Sequence, residues 1–152
     1  MKEIVEKLRN IKDQIVLEKA EGQLRFLGLI ARTDLDGKWD LLLSADWIKK
    51  SNGEEDLIFL IQKLKKEFQG NLDFLSKLVL LTPSESFILQ LARAIVREDK
   101  GKTGEEISDL KISVDFTVRH LFVISFDFAG IDLEKTQASE SEPIATEEVV
   151  NF

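Results

Sequence analysis

The residues best suited to chemistry lie in one short polar turn between two strongly apolar runs. Asp34, Asp36 and Lys38 belong to this turn, and Asp40 follows it directly. Carboxylate oxygens are the ligands that divalent cations such as Mg²⁺ and Ca²⁺ prefer in proteins. One hypothesis for the turn is therefore a divalent-cation site built from Asp34, Asp36 and Asp40.

The turn also has the acid-any-lysine spacing of metal-dependent nucleases, in which the carboxylate binds the metal and the lysine orients the attacking water. The catalytic set would be Asp34, Asp36 and Lys38, with Asp40 or Asp46 assisting. However, the apolar run before the turn supplies no further acidic ligand, and Asp and Gly are ordinary residues of an exposed hairpin tip. The sequence therefore favours a structural turn, with a metal-dependent hydrolase or nuclease as the alternative.

A second group of candidates sits where strands are predicted to end, because open sheets often place ligand-binding side chains there. These candidates are Arg32, Ser44, Asp46 and Trp47. They suggest a small-ligand sensor whose pocket would lie between sheet and helix, near Trp47. No glycine-rich phosphate loop accompanies them, so the pattern does not indicate a nucleotide phosphate as the ligand.

Composition narrows the chemistry further. The 152 residues include no Cys, no Tyr and a single histidine, His120. This excludes disulfides, thiolate nucleophiles and cysteine-ligated metals, and a Ser-His-Asp triad would depend on His120 without the usual nucleophile motif. We therefore expect no resident cofactor, with a divalent cation at the turn as the alternative, and we lean towards a non-enzymatic protein.

The net charge of −7 is concentrated towards the C-terminal end. Residues 132–152 carry six acidic side chains against one lysine, which leaves a net charge of only −2 for residues 1–131. We predict one domain over residues 1–131 and an acidic, flexible tail over residues 132–152. The nearly neutral body offers no broad electrostatic match to nucleic acid or an anionic membrane. The lack of a long apolar run or signal sequence predicts a cytoplasmic protein.

The first of the elements that position these residues is an amphipathic helix over residues 2–20. Its apolar residues recur at helical spacing and form one seam. The seam consists of Ile4, Val5, Leu8, Ile11, Ile15 and Val16. We predict that it packs on the domain's own sheet, with pairing to a second chain as the alternative.

Two strands joined by the polar turn come next, at residues 23–32 and 39–45. Both faces of the first are apolar, with Leu24, Phe26 and Ile30 predicted to share one of them. A strand that is buried on both faces usually lies in the middle of a sheet with helices over it. We therefore place this strand centrally.

A predicted helix over residues 54–68 then leads to a buried strand over residues 75–81. The second strand of the hairpin, this helix and this strand should form a parallel crossover. Thr82, Pro83 and Glu85 have the pattern of a capping box with proline in the first helical position. We predict a third helix that begins there and ends near residue 97.

Beyond a polar linker, apolar and polar residues alternate over residues 112–118 and 122–128. They predict one long strand or two paired strands, with a bend at Arg119 and His120. At a sheet edge the later, aromatic run would be an aggregation hazard, which a second copy or the chain's own tail would cover. The apolar residues 149–152 are a candidate for docking back or for insertion into a partner.

Together these patterns predict an α/β or α+β domain with a single-layer mixed sheet. A hairpin, a parallel crossover and late antiparallel strands form the sheet, and about three helices pack against it. For function they favour a non-enzymatic protein-interaction or oligomerisation module, working as a homodimer through the first helix or the aromatic strand. The alternatives are a metal-dependent hydrolase at the turn and a small-ligand sensor.

Overall fold

The computed structural model describes residues 1–19, 23–34, 37–48, 53–98, 106–133 and 148–151, the last range by its backbone alone. Within these ranges there are three helices, namely α1 (Lys2–Glu18), α2 (Gly53–Glu67) and α3 (Ser86–Arg97). The strands are β1 (Leu24–Ala31), β2 (Trp39–Ala45), β3 (Leu75–Leu81), β4 (Glu106–Ser113), β5 (Phe116–Phe126) and β6 (Glu148–Asn151). No helix in the described ranges is both long and apolar enough to cross a bilayer.

The six described strands form one mixed sheet in the order β4-β5-β1-β2-β3-β6. β1 pairs antiparallel with both β2 and β5, whereas β2 pairs parallel with β3, to which α2 connects it. The predicted hairpin, the parallel crossover and the central position of β1 are therefore confirmed, and the chain has an α+β fold. The predicted tail contributes β6, and residues 134–147 of that tail lie outside the described ranges.

Helices cover both faces of the sheet, because side chains along each strand alternate between two apolar clusters. Leu41 and Leu43 of β2 pack with α1 and α2, whereas Leu42 packs with α3. Leu8 and Ile15 of the α1 seam are fully buried in the first cluster. The prediction that this helix packs on its own sheet is thus confirmed, although Val16, the last residue of the seam, is 53% exposed.

A register shift in β1 moves Leu24 to the face opposite the predicted one. The β1–β2 register slips between Leu24 and Phe26. As a result, Leu24 joins Leu27 and Leu29 in the cluster with α1 and α2, while Phe26 lies in the cluster with α3. The assignment of Leu24 and Phe26 to one face was wrong, because strict alternation fails across a bulge.

The third helix begins later than the capping-box pattern predicts. α3 starts at Ser86 with Glu85 as its N-cap, rather than at Pro83. The Glu85 backbone N–H donates to the Thr82 carbonyl oxygen at 3.0 Å, so residues 82–85 form a turn. Proline in the second position of a four-residue turn is as favourable as proline in the first turn of a helix, and the sequence pattern does not separate the two.

The late apolar run forms two paired strands, whose turn lies at Val114 and Asp115 and not at Arg119 and His120. Val114 is 89% exposed, and its apolar type continues the alternating pattern straight through the turn. β5 lies between β4 and β1, so the aromatic run is an inner strand, and the aggregation hazard considered for an edge position does not apply to it. Dimerisation through this strand or through the α1 seam stays a prediction.

Gly28 of β1 lies in a crowded part of the sheet. A Cβ atom at this position would lie 2.6 Å from Phe26 Cζ and 2.8 Å from the Phe122 carbonyl oxygen. We therefore expect Gly28→Ala to lower the free energy of unfolding in urea by about 1–3 kcal/mol. The double variant Phe26→Leu/Gly28→Ala should lose less stability than the sum of the two single variants. Strict additivity would contradict the ring contact.

Candidate functional site

The polar turn borders an open groove at one end of the sheet. Arg32 follows β1 and Asp40 is the second residue of β2, so the hairpin brings the two side chains together. The groove has a volume of about 460 Å³. It is lined by Ala31, Arg32, Thr33, Asp34, Gly37, Lys38, Trp39 and His120. Asp36 lies outside the described residues, and its role in the turn stays a prediction.

Arg32 makes most of the polar contacts in this groove. Its guanidinium donates to both carboxylate oxygens of Asp34, from Nε at 2.7 Å and from Nη2 at 2.5 Å. Its Nη1 donates to Ser76 Oγ at 3.1 Å and lies 3.7 Å from Asp40 Oδ1. Arg32 therefore bridges the two acids of the hairpin and ties them to β3.

The two acids beside Arg32 have opposite electrostatic environments. Hydrogen bonds from Arg32 hold the pKa of Asp34 below its usual range. Burial raises the pKa of Asp40, although Arg32 and Lys77 oppose this effect. Among the described residues, Asp40 Oδ1 has no hydrogen-bond partner. Asp40 is thus the acid that would gain more from an additional donor.

This arrangement bears directly on the divalent-cation hypothesis. A cation shared by Asp34 and Asp40 would have to take the position that the Arg32 guanidinium holds. Lys38, the predicted water-orienting residue, donates instead to the Asp73 carbonyl oxygen. Within the described ranges no three His, Cys, Asp or Glu side chains come close enough to share a metal ion. In this structure Arg32 and Asp34 bind each other and Lys38 binds the backbone, and the metal site at the turn stays an untested alternative.

His120 reaches the same groove from β5. Its Nδ1 lies 3.2 Å from Glu106 Oε2, and both side chains are partly exposed. A carboxylate at Nδ1 fixes the orientation of an imidazole ring. The sequence does not reveal this contact, because Glu106 and His120 meet only when β4 and β5 pair.

The other predicted ligand-binding residues lie at the opposite end of the sheet. β1 and β2 are antiparallel, so Arg32 ends β1 at the turn while Asp46 and Trp47 follow β2 at the far end. Ser44 is fully buried, and its Oγ has no hydrogen-bond partner in the described part of the chain. The structure therefore does not bring Arg32 together with Ser44, Asp46 and Trp47.

Asp46 is bound by Arg25, a residue that no sequence pattern singles out. Nε and Nη2 of Arg25 donate to the Asp46 carboxylate at 2.9 and 3.1 Å, and Nη1 donates to the Ala129 carbonyl oxygen at 2.7 Å. These hydrogen bonds lower the pKa of Asp46. Arg25 is only 9% exposed. Because Arg25 lies in β1, Asp46 follows β2 and Ala129 follows β5, these hydrogen bonds join the ends of three strands.

Trp47 borders a second groove, which lies between α1 and the sheet. Its volume is about 340 Å³. It is lined by Lys12, Ile15, Val16, Lys19, Gln23, Leu24, Trp47, Ser125 and Asp127. The sensor hypothesis predicts a pocket in this part of the fold. Most of the residues that line it come from α1 and from strand ends that are distant in sequence, and for this reason only Trp47 among them could be predicted from local patterns.

We expect Arg32→Gln to lower the free energy of unfolding by about 1–3 kcal/mol, because it removes the main cation that offsets the burial of Asp40 and leaves only Lys77 to do so. Arg119→Gln is the matched control. Its partner Asp109 lies 3.3 Å away, and the two side chains are 65% and 67% exposed, so the change should be within about 0.5 kcal/mol. Equal effects in urea denaturation would contradict the bridging role of Arg32.

The opposite pKa shifts of Asp40 and Asp34 predict opposite pH dependences. Folding raises the pKa of Asp40, so its contribution to stability falls as the pH rises from about 4 through the raised pKa. The stability of Asp40→Asn should therefore decline less than that of the wild type between about pH 4 and 7. The pKa of Asp34 is lowered, so its contribution is lost as the pH falls below about 4, and Asp34→Asn should remove that loss. The free energy of unfolding of the three proteins is measured in urea at each pH. If it changes with pH in the same way in all three, both assignments are wrong.

Comparison with known proteins adds no assignment to this geometry. The chain matches no family model, no curated protein and no solved structure. Its function has therefore to be inferred from the chemistry of its own surfaces.

Proposed function

We propose that the protein is an interaction module that forms homo-oligomers by exchanging its C-terminal strand at the edge of β3. The observation that carries this proposal is the antiparallel pairing of β6 with β3. In this register Val150 lies opposite Leu78, Val149 opposite Val79, and Asn151 opposite Lys77.

The edge of β3 needs a covering strand. Its seven residues include one charged side chain, Lys77, and Leu78 and Leu80 are fully buried. Without β6, the edge would present unpaired N–H and C=O groups along an apolar strand. Such an edge is a template for pairing with another chain.

The other edge of the sheet, β4, has features that block pairing. Asp109 adopts a φ of 53°, which interrupts the regular strand conformation. Arg97 Nη2 donates to the Lys111 carbonyl oxygen at 2.7 Å and so uses an acceptor of this strand. Twisted or side-chain-capped edges are the usual protection against edge-to-edge association. The contrast with β3 supports the β3 edge as the surface at which exchange takes place.

β6 is also suited to exchange. It has four residues, and so few ladder hydrogen bonds hold a strand only weakly. The same segment of a second copy would find the same partners on β3, so the hydrogen bonds formed within one chain and between two chains are equivalent. Association by exchange of an identical element therefore requires no new surface.

Cysteine cross-linking tests the exchange, because the chain contains no Cys. Lys77→Cys and Asn151→Cys place thiols on directly opposed residues. When the two single variants are mixed at high concentration and oxidised, we expect disulfide-linked dimers with one chain of each kind. At high dilution, the double variant in one chain should instead give a cross-linked monomer.

Lys111→Cys on the protected β4 edge replaces Lys77→Cys in the matched control. Mixed with Asn151→Cys, it should give little cross-linked dimer. If the Lys77→Cys mixture forms no more dimer than this control, β6 pairs only within its own chain and the proposal is wrong.

A further inference from the structure

We propose that a small organic ammonium ion enters from the groove beside Trp47 and binds between the rings of Trp47 and Phe59, and that the Lys19 ammonium group holds this position in the unliganded protein. This site is separate from the β3 edge, so the proposal is independent of strand exchange.

Two aromatic rings form the recognition surface. The rings of Trp47 and Phe59 are nearly perpendicular, at 85°, with centroids 6.2 Å apart. Lys19 Nζ lies over both of them, 5.1 Å from the Trp47 ring and 4.8 Å from the Phe59 ring. Cations within about 6 Å of an aromatic face are attracted by its quadrupole. The corner between the rings is therefore a position that selects positive charge.

A buried carboxylate lies on the same side of α2. Asp56 precedes Phe59 by three residues, a spacing that makes them neighbours on the helix surface. Asp56 is only 5% exposed, and in the described part of the chain its Oδ2 has no hydrogen-bond partner. Burial raises the pKa of Asp56, and the Lys19 charge opposes this effect. A buried acid without a donor favours a cation in its vicinity.

The corner adjoins an open groove on its Trp47 side. Lys19 and Trp47 both line the 340 Å³ groove, and the apolar side chains of Ile15, Val16 and Leu24 line it with them. This volume is in the range of small-molecule sites. Lys19 is the residue at the C-terminal cap of α1 and is half-buried, so its side chain can move into water when a ligand enters.

The neighbouring lysines have acidic partners of their own. Lys12 Nζ lies 3.1 Å from Asp13 Oδ1, and Lys63, which lies over the Phe59 ring at 5.5 Å, is paired with Glu18. Displacement of Lys19 would therefore remove the main competing charge. Aromatic faces are only weak hydrogen-bond acceptors, so the two rings recognise a methylated ammonium group by its charge, and the Asp56 carboxylate adds an attraction that needs no N–H donor.

Titration with choline tests the proposal in a Trp39→Phe background, where Trp47 is the single fluorescent indole. We expect a saturable change in Trp47 emission at constant ionic strength. The uncharged isostere of choline, 3,3-dimethylbutan-1-ol, should bind at least about fivefold more weakly, because it lacks the charge that the rings recognise. Equal binding of the two compounds would show an apolar groove without cation recognition and would overturn the proposal.

Choline binding to variants of the site is the second test of the proposal. Lys19→Met removes the resident cation and should tighten choline binding about twofold to fivefold. Lys7→Met is the matched control, because Lys7 lies over the Phe68 ring at 5.4 Å, outside the groove, and its loss should leave choline affinity unchanged. Phe59→Leu and Asp56→Asn should each weaken binding at least about threefold, with circular dichroism confirming that both variants are folded.

Three results would overturn the proposal. The first is the absence of saturable choline binding to both the parent protein and Lys19→Met. The second is an equal effect of Lys19→Met and Lys7→Met. The third is full choline affinity in a folded Phe59→Leu variant.

Discussion

The structure depends on β1, a strand that is paired on both sides and buried on both faces. Its backbone bonds to β5 and β2, and its side chains enter both apolar clusters. Such a strand has room for charge only at its two ends, and arginines occur at both. Arg25 pairs with Asp46 at one end of the hairpin and Arg32 pairs with Asp40 at the other, so an ion pair links the two sides of the hairpin at each end. The ion pairs of β1 therefore lie at the ends of the sheet.

Local patterns were sufficient to predict most of the fold. The seam of α1 and the two apolar faces of β1 follow from residue spacing, because burial selects one residue type at each position. The errors occur where one local sequence pattern is compatible with two different structures. An apolar residue in a turn, Val114, resembles a strand residue, and Pro83 suits a turn as well as a helix start. The bulge at Leu24 depends on pairing with β2, so spacing within β1 does not reveal it.

The sites were predictable only where their residues are close in the sequence. Arg32, Asp34 and Asp40 come together because a hairpin joins them, and their sequence separation is enough to indicate this. Grouping Arg32 with Asp46 failed because strand direction, rather than strand end, decides which residues meet. The contact of Lys19 with Trp47 and Phe59 joins the end of α1 to a loop and to α2, and no short-range pattern encodes it.

The order of the strands along the chain has a consequence for biosynthesis. β6 pairs with β3, yet residues 82–147 separate the two in sequence. At ribosomal elongation rates of about 5–20 residues per second, on the order of several seconds pass between the synthesis of β3 and the synthesis of β6. The β3 edge is uncovered during this interval. During that interval, neighbouring nascent chains on one polysome present the same uncovered edge at high local concentration. Under the proposed strand exchange, the timing of translation, and not only the equilibrium between folded forms, would influence which copy of β6 each β3 edge receives.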